Sequence, residues 1–273
     1  MSFETDFENK VKTTIKRFNL FSKKDKVLVA ASGGKDSTTL LYLLKKFGYN
    51  VEAITINAFI GNYSKKSLED LREFCKQNKV KLHEFSLRKE FGYSLCYIRS
   101  ILKSKGTSLN SCAICGALRR YLLNKYVRKI KADVIATGHN LNDESYSILM
   151  NLFRNTMKLN ARIGPRTESK KGFVPRVKPL YLCFEKEVER YSKLKKFPVH
   201  YGWCPCSTLA FRRFFAESGV NDKELLNMVE NFISLQPKMR EFYKGGETSK
   251  CNNCKEPSTG ELCQACNIIK KLK

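Results

Sequence analysis

The chain has 273 residues, 42% of them hydrophobic, and its 51 Lys and Arg residues outnumber 26 Asp and Glu residues, giving a formal net charge of +25. This length can bury a substantial core, and the longest apolar runs are too short to cross a bilayer, which excludes a membrane-spanning protein. The N-terminal MSFETDFENK lacks the apolar segment of a secretory signal, so we expect a cytoplasmic protein. Positive charge along the whole chain favours a folded surface that binds a nucleic acid.

The predicted elements alternate between strands and helices over the first half of the chain. Strands are predicted at 27–32, 51–59, 81–87 and 132–138, and helices at 6–20, 37–48, 64–77, 116–130 and 142–155. This alternation predicts a Rossmann-like α/β fold with a parallel sheet covered on both faces. A loop-rich stretch follows at 160–180, then helices at 184–197, 207–217 and 222–235, a polar linker at 244–250 and a Cys-rich tail.

The motif SGGKDS occupies residues 32–37, between the first strand and its helix. Its two glycines let backbone N–H groups approach an anion, and Ser37 begins a helix whose N-terminus favours negative charge. Ser32 offers a second hydroxyl, Lys35 a positive charge, and Asp36 a carboxylate for Mg²⁺. The spacing differs from that of a Walker A loop. The motif therefore predicts a phosphate site.

SGGKDS resembles the SGGxDS signature of the PP-loop ATP pyrophosphatases, in which the loop grips the pyrophosphate part of ATP while the substrate is adenylated. The family's second element, G-H-N, matches Gly138-His139-Asn140 after the fourth strand. A magnesium or catalytic role is carried over to Asp143 alone. Without the PP-loop, His139 would be interpreted as a helix-capping loop residue. The resemblance implies that ATP contacts Ala31, Ser32, Gly33, Gly34, Lys35, Asp36, Ser37, Ile56, Gly138 and His139.

Eight of the 11 cysteines are closely paired in the sequence, as Cys112/Cys115, Cys204/Cys206, Cys251/Cys254 and Cys263/Cys266. The other three, Cys75, Cys96 and Cys183, have apolar or aromatic neighbours and are expected in the core. Two CxxC pairs within 251–266 have the spacing of a tetrahedral zinc site. Since that segment has little apolar content, we expect Zn²⁺ to supply its folding energy.

The segments SCAICGALRRYLLNKY and WCPCSTLAFRRFF resemble the tRNA 2-thiolation enzymes of the TtcA/TtuA group. The resemblance implies a [4Fe–4S] cluster held by Cys112, Cys115 and Cys204, with Cys206 as the alternative third ligand. Two other interpretations stay open: a zinc site built from all four thiols, and a persulfide carried by Cys112 or Cys204 without a cluster. The zinc-binding tail is similar to that of the thiouridine branch.

Paired basic residues are candidates for contacting RNA. Arg119 and Arg120 follow the first CxxC by about one helical turn, and we expect Arg119 to stabilise charge near the α-phosphate. The other candidates are Arg212, Arg213, Lys270, Lys271 and Lys273, although for the terminal lysines a solvated charged end is an equally good interpretation.

Together these features predict a tRNA uridine 2-sulfurtransferase that uses ATP and Mg²⁺. The expected organisation is an N-terminal helix (1–24), a PP-loop ATP-binding catalytic domain (25–220), a helical extension with linker (221–250) and a zinc finger (251–273). The sulfur donor stays open between sulfide, a cysteine desulfurase and a ubiquitin-like carrier, and the resemblance implies a homodimer as one option. The alternatives are a PP-loop ligase of the lysidine synthetase type and a zinc-dependent RNA-binding protein.

Overall fold

The computed structural model describes residues 2–107, 109–202, 204–206, 219–244 and 246–272. Its centre is a five-stranded sheet in which every neighbouring pair is parallel, in the order β3-β2-β1-β4-β5. The strands are β1 Lys26–Ala30, β2 Asn50–Asn57, β3 Leu82–Ser86, β4 Val134–Ala136 and β5 Arg176–Val177. β1 lies in the middle because its run of buried apolar residues can be covered on both faces. The parallel α/β prediction is confirmed.

Eleven helices are formed by the described residues. They are α1 Phe3–Arg17, α2 Lys35–Lys46, α3 Gly61–Gln77, α4 Leu87–Phe91, α5 Leu95–Ser104, α6 Ser111–Lys129, α7 Leu141–Phe153, α8 Met157–Asn160, α9 Glu185–Leu194, α10 Asp222–Phe242 and α11 Gln264–Lys270. The predicted helix at 207–217 lies outside the described residues. Within them, no helix is long and apolar enough to cross a membrane.

The chain reverses its direction of travel across the sheet between β1 and β4. From β1 it proceeds outward to β2 and β3, and later returns to place β4 and β5 on the other side of β1. In open parallel sheets a crevice forms at such a point, beyond the carboxyl ends of the strands. The loop at 32–37 follows β1 and the loop at 137–140 follows β4, so both predicted ATP-binding loops border this crevice.

The structure differs from the predicted elements in several places. α4, α8 and β5 were not predicted, and β5 lies within the stretch at 160–180 that was expected to be loop. α6 begins at Ser111 rather than at 116, because the Asn110 side chain caps it by accepting a hydrogen bond from Ala113 N at 2.8 Å. The cysteines at 112 and 115 therefore lie inside the helix. α5 was not predicted, although it begins with a Ser94 cap. The predicted end of α10 is wrong, since the helix continues to Phe242.

The Cys-rich tail packs against the body of the protein. β6 (Ser249–Lys250) and β7 (Pro257–Ser258) form a short antiparallel pair, followed by α11. Ile268 of α11 belongs to the same buried cluster as Leu118 of α6 and Leu102 of α5. Arg128 of α6 also pairs with Glu256 of the tail at 3.1 Å. The tail is therefore attached to the helix that carries Cys112 and Cys115.

Candidate functional site

The loop after β1 forms a cradle at the N-terminus of α2. Gly33 has φ +81°, and a Cβ at this position would lie 2.1 Å from the Ser67 carbonyl oxygen of α3, so only glycine fits. Ser37 Oγ accepts a hydrogen bond from Ser32 N at 3.1 Å and donates one to the Gly34 carbonyl at 3.2 Å. α2 has no side-chain cap at Gly34. The first N–H groups of α2 are thus available to an anion.

The loop after β4 packs directly against this cradle. A Cβ at Gly138 would lie 2.7 Å from Ser37 N, so the backbones can meet only at a glycine. Asn140 Nδ2 donates to Asp36 Oδ1 at 3.1 Å, while the Asn140 side chain caps α7 in a reciprocal pair with Asp143. The helix-capping role that could have fallen to the preceding histidine is therefore performed by Asn140.

His139 is exposed beside the crevice, and its Nδ1 lies 2.9 Å from Thr137 Oγ1. The structure thus places both residues at the mouth of the crevice, next to the SGGKDS loop. The structure tests the position of His139 but not a role in binding ATP, which stays a prediction.

Three carboxylates (Asp36, Asp143 and Glu185) and the Lys35 ammonium group define the electrostatics of the crevice. Burial raises the pKa of the Asp36 carboxyl above its ordinary value, and the negative charge of Asp143 raises it further against the opposing effect of Lys35. Burial favours a lower pKa for Lys35, but Asp36 and Glu185 outweigh it and raise that pKa. Lys35 Nζ lies 2.8 Å from Glu185 Oε1. Two neighbouring carboxylates that repel each other are suited to hold Mg²⁺.

A cleft extends from the cradle across the ends of β1 and β2 to α6. It is lined by Ser32, Thr55, Ile56, Asn57, Tyr63, Ser64, Ser67, Leu68 and Arg119. Arg119 Nε is buried there without a hydrogen-bond partner among the described residues. A buried guanidinium donor that lacks a protein acceptor points to an anionic ligand. The cleft therefore brings together Ser32, Ile56 and Arg119, which were predicted as site residues from separate segments of the sequence.

The predicted sulfur site adjoins this cleft. Burial raises the pKa of the Cys115 thiol, with Arg119 opposing the shift and Cys204 and Cys112 adding to it through their charges. Tyr63, which lines the cleft, likewise interacts with Cys204, Arg119 and Ser67. Cys115 and Cys204 pack against the same apolar cluster, and Cys112 Sγ lies 3.9 Å from the Cys206 carbonyl oxygen, so these cysteines lie in one region. Their role as cluster ligands stays a prediction.

Distances between sulfur atoms separate the two cysteine groups. Zinc–sulfur bonds of about 2.3 Å in a tetrahedron place sulfur atoms about 3.8 Å apart. Among the described residues, the tail cysteines Cys251, Cys254, Cys263 and Cys266 form the single group whose ligand atoms all lie within 4.8 Å of one another. The thiols of Cys112, Cys115, Cys204 and Cys206 are not gathered so tightly. The tail therefore fits a tetrahedral ion such as Zn²⁺.

Among the tail thiols, Cys251 has a lowered pKa, whereas burial raises the pKa of Cys263 and of Cys266. Burial favours a higher pKa for Cys251, but hydrogen bonds from backbone N–H groups outweigh it and lower that pKa to about 6. A thiol that ionises near neutral pH is a ready ligand for Zn²⁺.

One prediction about the remaining cysteines is wrong. Cys75 and Cys183 are buried as predicted, but Cys96 is exposed. It is the second residue of α5, and its thiol donates a hydrogen bond to the Phe59 carbonyl oxygen at 3.8 Å. Its aromatic neighbour in the sequence suggested a core position because α5 itself was not recognised.

The predicted RNA contacts are only partly described. Arg120, Lys270 and Lys271 are exposed, which is compatible with binding a polyanion, whereas Arg212, Arg213 and Lys273 lie outside the described residues. Asn140 was not predicted as the partner of Asp36, and neither Glu185 nor Tyr63 was predicted at the site. Asn140 had a signal, since an Asn three residues before an Asp marks a capping box.

Comparison with known proteins places these features in a family. The PP-loop domain family matches residues 3–201. The chain is 34% identical to the tRNA-5-methyluridine(54) 2-sulfurtransferase of Pyrococcus horikoshii, over 97% of this chain and 85% of that protein. It is 31% identical to cytoplasmic tRNA 2-thiolation protein 1 of Drosophila melanogaster, over 99% of this chain and 80% of that protein.

A solved structure is also similar to this chain over nearly its whole length. The U34-tRNA thiolase NcsA from Methanococcus maripaludis, with its [4Fe–4S] cluster, superposes with a TM-score of 0.80 at 28% identity, covering 99% of this chain and 88% of that one. The resemblance to PP-loop enzymes predicted from SGGKDS is confirmed.

Proposed function

Because the chain belongs to the PP-loop family of tRNA 2-sulfurtransferases, we propose that it transfers sulfur to a tRNA uridine at the expense of ATP. The uridine C2 oxygen attacks the α-phosphate, pyrophosphate leaves, and sulfur then replaces the adenylated oxygen as AMP departs. One observation carries the proposal: the cleft that suits ATP and the three-cysteine group share Arg119 and Tyr63. Adenylation and sulfur delivery can therefore reach the same base.

In this proposal the cradle at residues 32–37 binds pyrophosphate through backbone N–H groups and serine hydroxyls. Asp36 and Asp143 hold Mg²⁺, which removes the repulsion between their carboxylates. Arg119 uses its buried Nε–H to stabilise charge that develops on the α-phosphate. The backbone around Ile56 borders the adenosine, since it lines the same cleft.

Cys112, Cys115 and Cys204 would hold the iron–sulfur cluster in this proposal, which is supported by the [4Fe–4S] cluster of the similar thiolase NcsA. A [4Fe–4S] cluster with three protein thiolates supplies one open iron position for an incoming sulfur. Cys112 and Cys115 lie in the first turns of α6, and Cys204 interacts with Tyr63, which lines the proposed nucleotide cleft. The tail cysteines would hold Zn²⁺ and so stabilise the packing of the tail on α6.

tRNA is the macromolecular substrate in this proposal, supported by the net charge of +25 and by the substrate named for the relatives. Exposed Arg120 on α6 and the lysines at the end of α11 are the proposed contacts among the described residues. A homodimer in the cytoplasm, supplied with sulfur by sulfide, a desulfurase or a ubiquitin-like carrier, completes the proposal.

Mass spectrometry of tRNA nucleosides tests the proposal in cells that lack the protein. We expect one 2-thiouridine to disappear and to return when the wild-type gene is restored, and the affected tRNA fragment identifies the position. An unchanged thionucleoside profile would overturn the assignment. The Cys112→Ser variant separates the proposal from an amine-adding ligase, because it should retain ATP-dependent pyrophosphate release but form no thiolated base.

A further inference from the structure

An exposed aromatic surface at the start of α5 has no role in the mechanism above. It consists of Tyr93 and Tyr97, which are 38% and 50% exposed and which we call the tyrosine pair. Their rings are stacked, with 5.1 Å between the ring centroids and 12° between the ring planes. A third flat ring can continue this stack from its exposed side.

Hydrogen bonds of the backbone hold the tyrosine pair in place. Ser94 caps α5, and its hydroxyl accepts a hydrogen bond from Tyr97 N at 3.2 Å. The next residue, Leu95, donates its N–H to the Ala58 carbonyl oxygen at 3.0 Å, which fixes the start of α5 to the chain just after β2. Ile56, near the end of β2, lines the proposed nucleotide cleft. The tyrosine pair is therefore a fixed surface at the same edge of the sheet as that cleft.

The buried face of α5 packs against the helix that carries two of the proposed cluster ligands. Ile98 and Leu102 of α5 belong to the same buried cluster as Ile114 of α6, which lies between Cys112 and Cys115. An α-helix with its side chains is about 10–12 Å across, so α5 separates its exposed tyrosines from α6 by about that distance. A base bound at the tyrosine pair is thus a neighbour of the target uridine and not the uridine that is modified.

The segment that contains the tyrosine pair is strongly basic. Residues 87–105 include five basic residues, all of them exposed, and one acidic residue, Glu90, which pairs with Lys125 of α6. The five are Arg88, Lys89, Arg99, Lys103 and Lys105. Exposed aromatic rings among positive charges are the combination with which proteins bind single-stranded nucleic acids. The charge of this segment therefore complements an RNA loop.

We propose that the tyrosine pair stacks with an unpaired base of the tRNA loop that contains the target uridine, while the basic residues of the same segment contact the phosphates of that loop. The proposal rests on the sulfurtransferase function above. Every base has a flat π face, so this stacking recognises a single-stranded loop and not one particular base. Stacking on a fixed surface outside the nucleotide cleft holds the loop in position while the target uridine enters the cleft. The two tyrosines are thus substrate-binding residues.

The test uses fluorescence anisotropy to measure RNA binding by the full-length protein, purified without oxygen. The probes are bulk tRNA from cells that lack the protein and a fully paired RNA duplex. Tyr97→Ala should bind the tRNA about tenfold more weakly, because one stacked base is lost, and should bind the duplex as wild type does. Tyr97→Phe keeps the ring and should match wild type on both probes. Leu194→Ala is the matched control, since Leu194 is also 50% exposed but lies at the end of α9.

Two further measurements distinguish stacking from an effect of charge. Tyr97→Ala removes no charge, so the slope of log affinity against log salt concentration should stay the same, whereas Arg99→Gln should make that slope shallower by about 0.7. In tRNA thiolation, Tyr97→Ala should raise KM about tenfold with kcat unchanged, because the lost interaction contributes equally to substrate and transition state.

An unchanged tRNA affinity of Tyr97→Ala, an equal loss on the duplex, or an equal loss in Tyr97→Phe would refute the stacking. A changed sedimentation coefficient of Tyr97→Ala would also refute it, because the tyrosine pair would then join two copies of the protein. If wild type binds tRNA through the tyrosine pair but forms no 2-thiouridine, the sulfurtransferase function fails and the stacking stands. If wild type thiolates tRNA and Tyr97→Ala does so with an unchanged KM, the stacking alone fails.

Discussion

Gly138→Ala tests whether the close approach of the two nucleotide loops is essential. A Cβ at this position would lie 2.7 Å from Ser37 N and 2.8 Å from the Asp36 carbonyl carbon, both backbone atoms that cannot rotate away. Ordinary contacts between such atoms are about 3.5–4.0 Å, so the loops must separate by about 1 Å. Overpacking of this kind costs about 1–3 kcal/mol of unfolding free energy.

The same displacement should affect activity more than stability. Moving the cradle by about 1 Å misplaces the groups that hold the phosphates, which can lower the rate about 100-fold. Urea unfolding measures the free energy, and tRNA-dependent pyrophosphate release measures the rate. Gly246→Ala is the matched control, because a Cβ there meets nothing within 4 Å, and its unfolding free energy should change by less than about 0.5 kcal/mol. Equal behaviour of the two variants would refute the reasoning.

Three further perturbations test other parts of the structure. Lys178→Met leaves the buried Glu144 without its ion-pair partner at 2.7 Å, so urea unfolding should show a loss of about 3–5 kcal/mol in unfolding free energy. The control Lys193→Met removes an exposed ion pair and should lose less than about 0.5 kcal/mol. Equal losses in the two variants would contradict this reasoning. Asp36→Asn should abolish pyrophosphate release but gain stability relative to wild type as pH rises, because the raised pKa of Asp36 makes its ionisation costly in the folded state. At pH values below the ordinary Asp pKa, the unfolding free energies of the two proteins should converge. A difference in unfolding free energy that is constant with pH would contradict the raised pKa of Asp36. Cys263→Ser should lose zinc by elemental analysis and speed amide hydrogen exchange in α6, where the tail packs, and unchanged exchange would refute that coupling.

The sequence alone determined those features that depend on neighbouring residues. The apolar run ending at Ala31, followed by two glycines and a polar helix start, specifies a strand, a tight turn and an open helix N-terminus within a dozen residues. The tail cysteines are equally local, since two CxxC pairs in one short segment can reach a single ion. For the same reason the first half of the α/β alternation was predicted with approximately correct boundaries.

Local pattern failed where a helix start was obscured or a distant contact decided the outcome. The Asn110 cap of α6 was overlooked, and the CxxC motif was therefore placed before the helix instead of within it. α10 continues beyond its predicted end because side-chain contacts hold its last turns against the preceding loop. One of them is the hydrogen bond that the Arg240 side chain donates to the Ala161 carbonyl oxygen at 3.1 Å. The position of Cys96 could not be predicted without recognising α5.

Only the tertiary structure decided which separate motifs form one site. Asn140 and Asp36 are 104 positions apart, and they meet because β4 lies beside β1 in the parallel sheet, which brings the carboxyl ends of both strands to one crevice. Glu185 reaches Lys35 across 150 positions because α9 packs on α2. The spacing of residues along the chain does not predict such contacts, because strand order and helix packing are properties of the tertiary structure.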